Sequence, residues 1–339
     1  MNINKNWNFR YELFFYNNKN IFKKFANLLT KTETIAYEKE IELFSNMFTF
    51  QMLIDAFNSN KDKEKILKIA KRKTNCILNT PKILKAYYQK LINKKYSKYK
   101  MELNNLLEIS LNSNKTFDLY KYFSIYFDED FLNKFLKNNP YKNCNYNPHT
   151  VCDINAIIKD FNDKNPNNLN YDIIIKKGKN YGEFWNSFLY KKHKKDTLIL
   201  YNNPKWTYED IYYTMVHEIN GHAKMFDKLK SSLKFVDMSA NIIIEGYATY
   251  QELIDNTNEN YIKHLKYKYF DILQLTFSNN FDKMFKKYGI KTVINTNQYP
   301  AFLQSYYLGA FKIIQTKELQ NLDFILNHNF TNNLIKEYQ

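Results

Sequence analysis

Two of the six histidines in this chain stand five positions apart, and a glutamate directly follows the first of them. The segment reads HEINGH at residues 217–222. Two imidazoles on one face of a helix can chelate a single metal ion, and an adjacent carboxylate can take a proton from water that the ion activates. This pattern makes His217 and His222 candidate metal ligands and Glu218 a candidate general base.

The spacing of the two histidines is one residue longer than in the usual HExxH motif. An ideal α-helix turns by about 100° per residue, so it would place the two imidazoles about 140° apart. One extra residue that bulges out as a π-type turn would return both to one face, and Gly221 gives the backbone the freedom to do so. The alternative is a pair of hydrogen-bonded core histidines that bind no metal.

A second segment, EGYATYQE at residues 245–252, follows three consecutive isoleucines. Glu245 therefore lies in a strongly apolar run, where a carboxylate is costly to bury unless it is paired or bound to a metal. It stands 23 residues after His222, which leaves room for a short connection and an antiparallel return to the same ion. Glu252 lies seven residues further on the same helix face, where it can orient a histidine or remain a solvent-exposed charge.

A third segment, PAFLQSYYLG at residues 300–309, completes a set of motifs. In this order the three segments resemble the gluzincin-type metallopeptidases, and within them the bacterial domain-of-unknown-function family 885. That family has HExxPGHH, then EGWAxYxE, then a late helix with P…Q…YxxG. The stretch TLILYNNP at 197–204 is similar to the strand that precedes the family's metal helix, so the resemblance covers roughly residues 195–320.

The chain departs from the family pattern at two of the motifs. HEINGH lacks the proline and the last histidine, and its spacing is one residue shorter. The HExxxH form resembles HELLGH of the dipeptidyl peptidase III family, so this spacing is compatible with a zinc site, although that family's EECRAE-type second motif is absent. Tyr247 stands where family 885 has tryptophan.

The resemblance implies a role for each matching residue. The two histidines of HEINGH and Glu245 would bind one zinc ion per chain. Glu218 would be the general base, and Tyr306 would donate a hydrogen bond to the oxyanion of the tetrahedral intermediate. Because the chain has 29 tyrosines, core packing of Tyr306 and a catalytic role for the neighbouring Tyr307 remain alternatives.

The elements that must position these residues are predicted to be mainly α-helical, because apolar residues recur every three or four positions. Two β-rich stretches, 171–177 and 196–201, predict strands. With the resemblance, the predicted fold class is a helical gluzincin-like architecture with a small β-sheet beside the metal-binding helices. We expect a helical N-terminal region, 1–150, and a metal-binding catalytic region, 151–339, or one continuous domain. The predicted helices cover 33–57, 63–78, 81–92, 119–136, 207–229, 236–255, 259–286, 299–319 and 321–336.

The composition argues against several other functions. The chain has 6 Gly and 6 Pro among 339 residues and contains neither GxGxxG nor GxxxxGK[ST], so a nucleotide-binding phosphate loop is not expected. The net charge is 50 − 34 = +16, but only Arg10 and Arg72 are arginines, the residue that nucleic-acid sites favour for bidentate contacts. We interpret the charge as a lysine-coated surface and expect no nucleic-acid partner.

The three cysteines do not make a disulfide framework. The N-terminal residues lack the apolar region of a signal peptide, and no apolar run approaches about 18 residues. We therefore expect a cytoplasmic protein without a transmembrane helix.

The sequence thus predicts a zinc-dependent hydrolase, a metallopeptidase that cleaves short peptides through a metal-activated water with Glu218 as the general base. No cofactor besides the metal is expected. Two alternatives stay open. One is a metal-dependent hydrolase of a non-peptide amide or small metabolite. The other is a catalytically inactive basic binding protein, which would bind nucleic acid with a steep dependence on salt.

Overall fold

The computed structural model describes most of the chain from residue 82 onward. The helices predicted at 33–57 and 63–78 and the beginning of the helix predicted at 236–255 lie outside the described residues. The described part is mainly helical and contains one three-stranded sheet, which confirms the general fold class, while the gluzincin-like architecture stays a prediction. The described residues are 82–112, 119–143, 146, 149, 153–166, 169–178, 182–185, 187, 193–203, 206–231, 241–298, 301–328 and 333–338.

The described elements are helices, one π-helical segment and the three strands of the sheet. No described helix is both long and apolar enough to cross a membrane. In chain order the elements are α1 (Lys82–Lys95), α2 (Lys100–Asn112), α3 (Leu119–Phe123), α4 (Glu129–Lys134), α5 (Ile154–Lys164), β1 (Tyr171–Lys177), β2 (Gly182–Trp185), β3 (Asp196–Asn202), α6 (Tyr208–Met215), a π-helical segment (Val216–Ala223), α7 (Lys224–Ser231), α8 (Asn241–Ile254), α9 (Glu259–Phe277), α10 (Phe281–Gln298), α11 (Phe302–Gln315), α12 (Leu322–Asn327) and α13 (Asn333–Glu337).

The chain divides into two compact units. One unit includes Asn139–Phe270 and Ser305–Gln339 and therefore contains the sheet and HEINGH. The other includes Asp271–Gln304 and the described residues of Thr30–Asn138. The predicted division near residue 150 stays a prediction, because much of the N-terminal region lies outside the described residues.

Three predicted helices are each divided into two. The predicted helix 119–136 consists of α3 and α4, because the Asp128 side chain accepts a hydrogen bond from the Phe131 N–H and begins a new helix. The predicted helices 259–286 and 321–336 are divided between α9 and α10 and between α12 and α13. A polar side chain that caps a helix can start a new helix although the apolar pattern continues through it. Apolar periodicity alone therefore overestimates helix length.

The sheet has the strand order β1–β3–β2, with β1 parallel and β2 antiparallel to the central strand. Leu198, Ile199 and Leu200 of β3 are no more than 1% exposed, so the central strand is buried on both faces. The strands predicted at 171–177 and 196–201 are confirmed, whereas β2 was not predicted. β2 lies at an edge of the sheet and contacts the π-helical segment.

The helix that carries HEINGH runs from Tyr208 to Ser231 and changes its winding in the middle. It begins with a capping box, in which the Thr207 hydroxyl accepts from the Asp210 N–H and the Asp210 carboxylate accepts from the Thr207 N–H. The π-helical winding spans Val216–Ala223. The spacing of the two histidines predicted a turn of this type, and the turn accommodates that spacing.

Side-chain amides connect the π-helical segment to the end of α5. Asn220 donates from Nδ2 to Oδ1 of Asn165 at 2.9 Å, and Asn165 donates in turn to the Tyr212 hydroxyl at 3.0 Å. Asn220 is only 7% exposed, so this hydrogen bond is shielded from water. It fixes the residue that directly precedes Gly221, inside the wider turn.

Glycines allow α8 to approach two neighbouring helices very closely. A Cβ atom at Gly221 would lie 2.4 Å from the Cβ of Ala248, on one side of α8. A Cβ atom at Gly309 of α11 would lie 2.8 Å from the Cα of Gly246 and 2.1 Å from the carbonyl oxygen of Ile242. The backbones of α8 and α11 are therefore in direct contact, which a larger residue at this crossing would prevent.

We predict that Gly309→Ala destabilises the protein by ~3 kcal/mol, since its methyl group would overlap backbone atoms that cannot rotate away. Helix propensity alone gives the opposite sign, because alanine stabilises a helix interior by about 1 kcal/mol relative to glycine. Urea unfolding of the wild type and the variant measures the free energy of unfolding. A stabilised variant would contradict the close contact of α8 and α11.

Candidate metal centre

Three side chains bring one donor atom each to a common point. Nε2 of His217, Nε2 of His222 and a carboxylate oxygen of Glu245 belong to a group whose ligand atoms all lie within 4.8 Å of one another. Glu245 Oε2 lies 3.4 Å from Nε2 of His217 and 3.1 Å from Nε2 of His222. Among the described residues, this is the one group of three or more such side chains that can hold a metal ion.

The π-helical turn and α8 supply the two sides of this cluster. The wider turn brings the rings of His217 and His222 to a centroid distance of 4.9 Å, although the two residues stand five positions apart. Glu245 directly precedes Gly246, where α8 touches α11, and Ala248 of the same helix touches the π-helical segment. Close packing of α8 therefore holds the third donor against the first two.

The hydrogen bonding of His217 indicates that a proton or a metal ion belongs between this histidine and Glu245. Nδ1 of His217 lies 2.6 Å from Oε1 of Glu252, which accepts its hydrogen bond. A neutral imidazole then has a lone pair on Nε2, and this nitrogen faces the Glu245 carboxylate. Two acceptors that face each other are stable only with a proton or a metal ion between them, and a His₂Glu donor set fits a divalent transition metal.

The charges of the cluster agree with this requirement. Burial raises the pKa of the Glu245 carboxyl, but His222 and His217 outweigh burial and hold the pKa well below its ordinary value. Burial lowers the pKa of His217, and its hydrogen bonds to Glu245 and Glu252 outweigh that effect and raise the pKa well above its ordinary value. The carboxylate is therefore held ionised, and the site attracts a positive charge in the place where a metal ion would bind.

Glu252 lies behind His217, as the seven-residue spacing from Glu245 suggested. Its side chain is only 12% exposed, so it is not a solvated surface charge. The oxygen that does not bind His217 accepts a hydrogen bond of 2.9 Å from the Tyr269 hydroxyl. A carboxylate behind a ligating imidazole fixes its tautomer and ring orientation and makes Nε2 more basic.

The ring of His222 is held differently. It stacks on Phe226, one turn further along the helix, with a centroid distance of 5.9 Å and an interplanar angle of 14°. Its Nδ1 atom is buried and has no hydrogen-bond partner in the described part of the chain. On the side of Nδ1, apolar packing and not a carboxylate therefore orients the second histidine.

Glu218 lies beside the cluster and faces the edge strand. Burial raises the pKa of the Glu218 carboxyl, although His222, His217 and a hydrogen bond from the backbone N–H of Phe184 act to lower it. Phe184 belongs to β2, so this edge strand directly contacts the proposed base. The sequence did not indicate this contact, since β2 has only four residues and begins with glycine.

The two neighbouring tyrosines of α11 differ in their surroundings. The Tyr306 ring stacks on His217 at a centroid distance of 5.8 Å, and its hydroxyl hydrogen-bonds to Glu245. Tyr307 instead stacks on Tyr269 at 4.1 Å. The structure therefore places Tyr306 at the cluster, and Tyr307 one step away from it.

We predict that the purified protein contains about one zinc ion per chain and that His222→Ala removes it, because one of three ligands is lost. His328 directly follows α12 and bonds the backbone carbonyl of Phe324 in that helix, so His328→Ala is a matched control that keeps the metal. Elemental mass spectrometry measures the zinc content.

Zinc at a hundred times its dissociation constant should also raise the free energy of unfolding of the apoprotein by about 2.7 kcal/mol. A wild type that binds no metal when zinc is offered would contradict the assignment.

Comparisons with known proteins add no relative to this description. No protein-family model, curated protein or solved structure matches the chain. The likeness to family 885 is thus limited to three motifs in one order, and the functional assignment depends on the geometry of the candidate metal centre.

Proposed function

We propose that the protein is a zinc-dependent hydrolase that cleaves short peptides. The convergence of His217, His222 and Glu245, with Glu218 beside them, is the observation that carries the proposal. Three protein ligands leave a coordination position for water and substrate, as in catalytic zinc sites. When bound there, zinc supplies a Lewis acid that lowers the pKa of water and polarises a carbonyl group.

Glu218 is proposed to move the proton. A general base works best when its pKa lies near the working pH, and burial shifts the pKa of this carboxyl upward in that direction. Glu218 would take a proton from the attacking water and donate it to the amine that leaves. The backbone N–H of Phe184 helps to keep the Glu218 carboxyl group in place through both steps.

Tyr306 is proposed to stabilise the oxyanion. Burial, together with the nearby carboxylates of Glu245 and Glu218, raises the pKa of its hydroxyl well above the ordinary value. The group therefore stays protonated at neutral pH and remains a hydrogen-bond donor. In the protein alone it bonds Glu245, and an oxyanion that develops beside the metal centre would attract the same proton.

The edge strand supports a peptide as the substrate. β2 pairs only with β3 in the described part of the chain, and it lies beside Glu218. An extended peptide can add to such an edge through backbone hydrogen bonds, whatever its side chains. Because β2 has four residues, it offers pairing for a short segment only, which favours short peptides.

We predict that Glu218→Gln abolishes peptide cleavage while the zinc content stays at the wild-type level, since the amide keeps the shape but accepts no proton. A mixture of short peptides, followed by mass spectrometry, identifies the cleaved bonds, and non-peptide amides are tested in parallel. Glu259 is an exposed glutamate paired with Lys263 and serves as the matched control, Glu259→Gln. Turnover in a zinc-loaded Glu218→Gln protein would contradict the role of Glu218.

We predict that Tyr306→Phe lowers kcat by about 10²–10³-fold and changes KM much less, because one donor to the oxyanion is removed. Tyr307→Phe keeps the ring that stacks on Tyr269 and should change kcat by less than about 10-fold. Steady-state kinetics on one cleaved peptide measures both variants. A large loss of kcat in Tyr307→Phe, with little change in Tyr306→Phe, would assign the oxyanion donor to Tyr307.

A further inference from the structure

The hydroxyl of Tyr269 completes the hydrogen bonding of Glu252. Tyr269 lies on α9, outside all three sequence motifs, and donates to Oε2 of Glu252 at 2.9 Å. Oε1 of the same carboxylate accepts from Nδ1 of His217 at 2.6 Å. Each oxygen of Glu252 therefore has its own donor, one from a metal-site histidine and one from a tyrosine.

Two anchors restrain a carboxylate more than one does. A carboxylate that is held only by His217 can still rotate about its terminal bond and exchange its oxygens. The hydrogen bond from Tyr269 prevents this rotation, so the plane of Glu252 and the direction of Oε1 are fixed. A fixed Oε1 keeps the proton of His217 on Nδ1 and leaves Nε2 free to bind a metal.

The ring of Tyr269 makes a second connection to the site. It stacks on Tyr307 with a centroid distance of 4.1 Å and an interplanar angle of 15°. Tyr307 is bonded to Tyr306, whose ring lies parallel to His217 at 5.8 Å. The residues thus form a closed ring of contacts. It runs from His217 through Glu252, Tyr269, Tyr307 and Tyr306 back to His217.

We propose that Tyr269 is a positioning residue of the metal centre, whose hydroxyl orients His217 through Glu252 and whose ring fixes the location of Tyr306 through Tyr307. The inference depends on the metal site of the proposed function and not on its substrate. A tyrosine that only fills space would contribute to the stability of the apoprotein and the zinc-loaded protein equally. A positioning residue contributes to zinc affinity as well.

The hydroxyl is tested with Tyr269→Phe, which keeps the ring. Zinc affinity is measured by competition with a chromophoric chelator, so no turnover is needed. We expect the dissociation constant for zinc to rise about 10-fold or more, as for other partners of ligating histidines. Tyr288→Phe is the matched control, because Tyr288 also donates to a buried carboxylate, that of Asp271, at 2.8 Å, and neither residue belongs to the candidate metal centre. It should leave zinc affinity unchanged.

A double-mutant cycle tests the route through Glu252. In a Glu252→Ala background, the Tyr269 hydroxyl has no carboxylate to orient, so adding Tyr269→Phe should change zinc affinity no further. An equal effect of Tyr269→Phe in both backgrounds would overturn the route. Wild-type affinity in the Tyr269→Phe single variant would overturn the inference and leave the proposed function standing, whereas a wild type that binds no zinc would overturn both.

The ring is tested with Tyr269→Leu, compared with Tyr269→Phe at saturating zinc. Because phenylalanine keeps the stack on Tyr307, we expect its kcat to stay within a few-fold of the wild type once the site is loaded. Leucine loses the stack, so its kcat should fall at least 10-fold below that of Tyr269→Phe. Equal kcat values for the two variants would overturn the connection to Tyr306. Thermal unfolding of the apoproteins shows whether both variants are folded.

Discussion

The direct backbone contact of three helices is the constraint on which the candidate metal centre depends. Three of the six glycines in the chain, Gly221, Gly246 and Gly309, lie at these contacts. Helix axes usually stay 8–10 Å apart because side chains separate them. Glu245 is adjacent to one of these glycines and Tyr306 is three residues before another, so the close approach brings both side chains to the histidines. This close approach explains why a chain poor in glycine has glycine at these three positions.

The π-helical turn brings the two histidine side chains together where a regular α-helix would not. Because they stand five positions apart, His217 and His222 would diverge in regular α-helical winding, and the wider turn restores their convergence. Such a turn is less favourable than an α-helix and must be stabilised from outside. Asn220 supplies one such contact through Asn165, and the fit of Gly221 against Ala248 supplies another. The local strain is therefore offset by contacts that form only when α5 and α8 are in place.

Much of the site could be predicted from the sequence because its chemistry depends on residue types at fixed spacings. HEINGH and Glu245 of α8 locate the three donors, and Glu252 follows from its place on the same helix face. Tyr269 could not be found in this way, because the hydroxyl comes from a distant helix and the chain has 29 tyrosines. β2 was missed since four residues carry too little alternation to be distinguished from a loop. Contacts between elements that are far apart in sequence leave no periodic signal.

Burial is the common cause behind three chemical properties that the proposed hydrolase requires. It raises the pKa of Glu218 and makes that carboxylate a stronger base, and it raises the pKa of Tyr306 and keeps that hydroxyl a donor. It also makes Glu245 costly to hold ionised without a nearby positive charge. In the proposed function, a divalent cation held by His217, His222 and Glu245 would supply the positive charge that keeps Glu245 ionised without a proton on either imidazole. The burial that raises the pKa of Glu218 and of Tyr306 therefore also favours a cation between these three side chains.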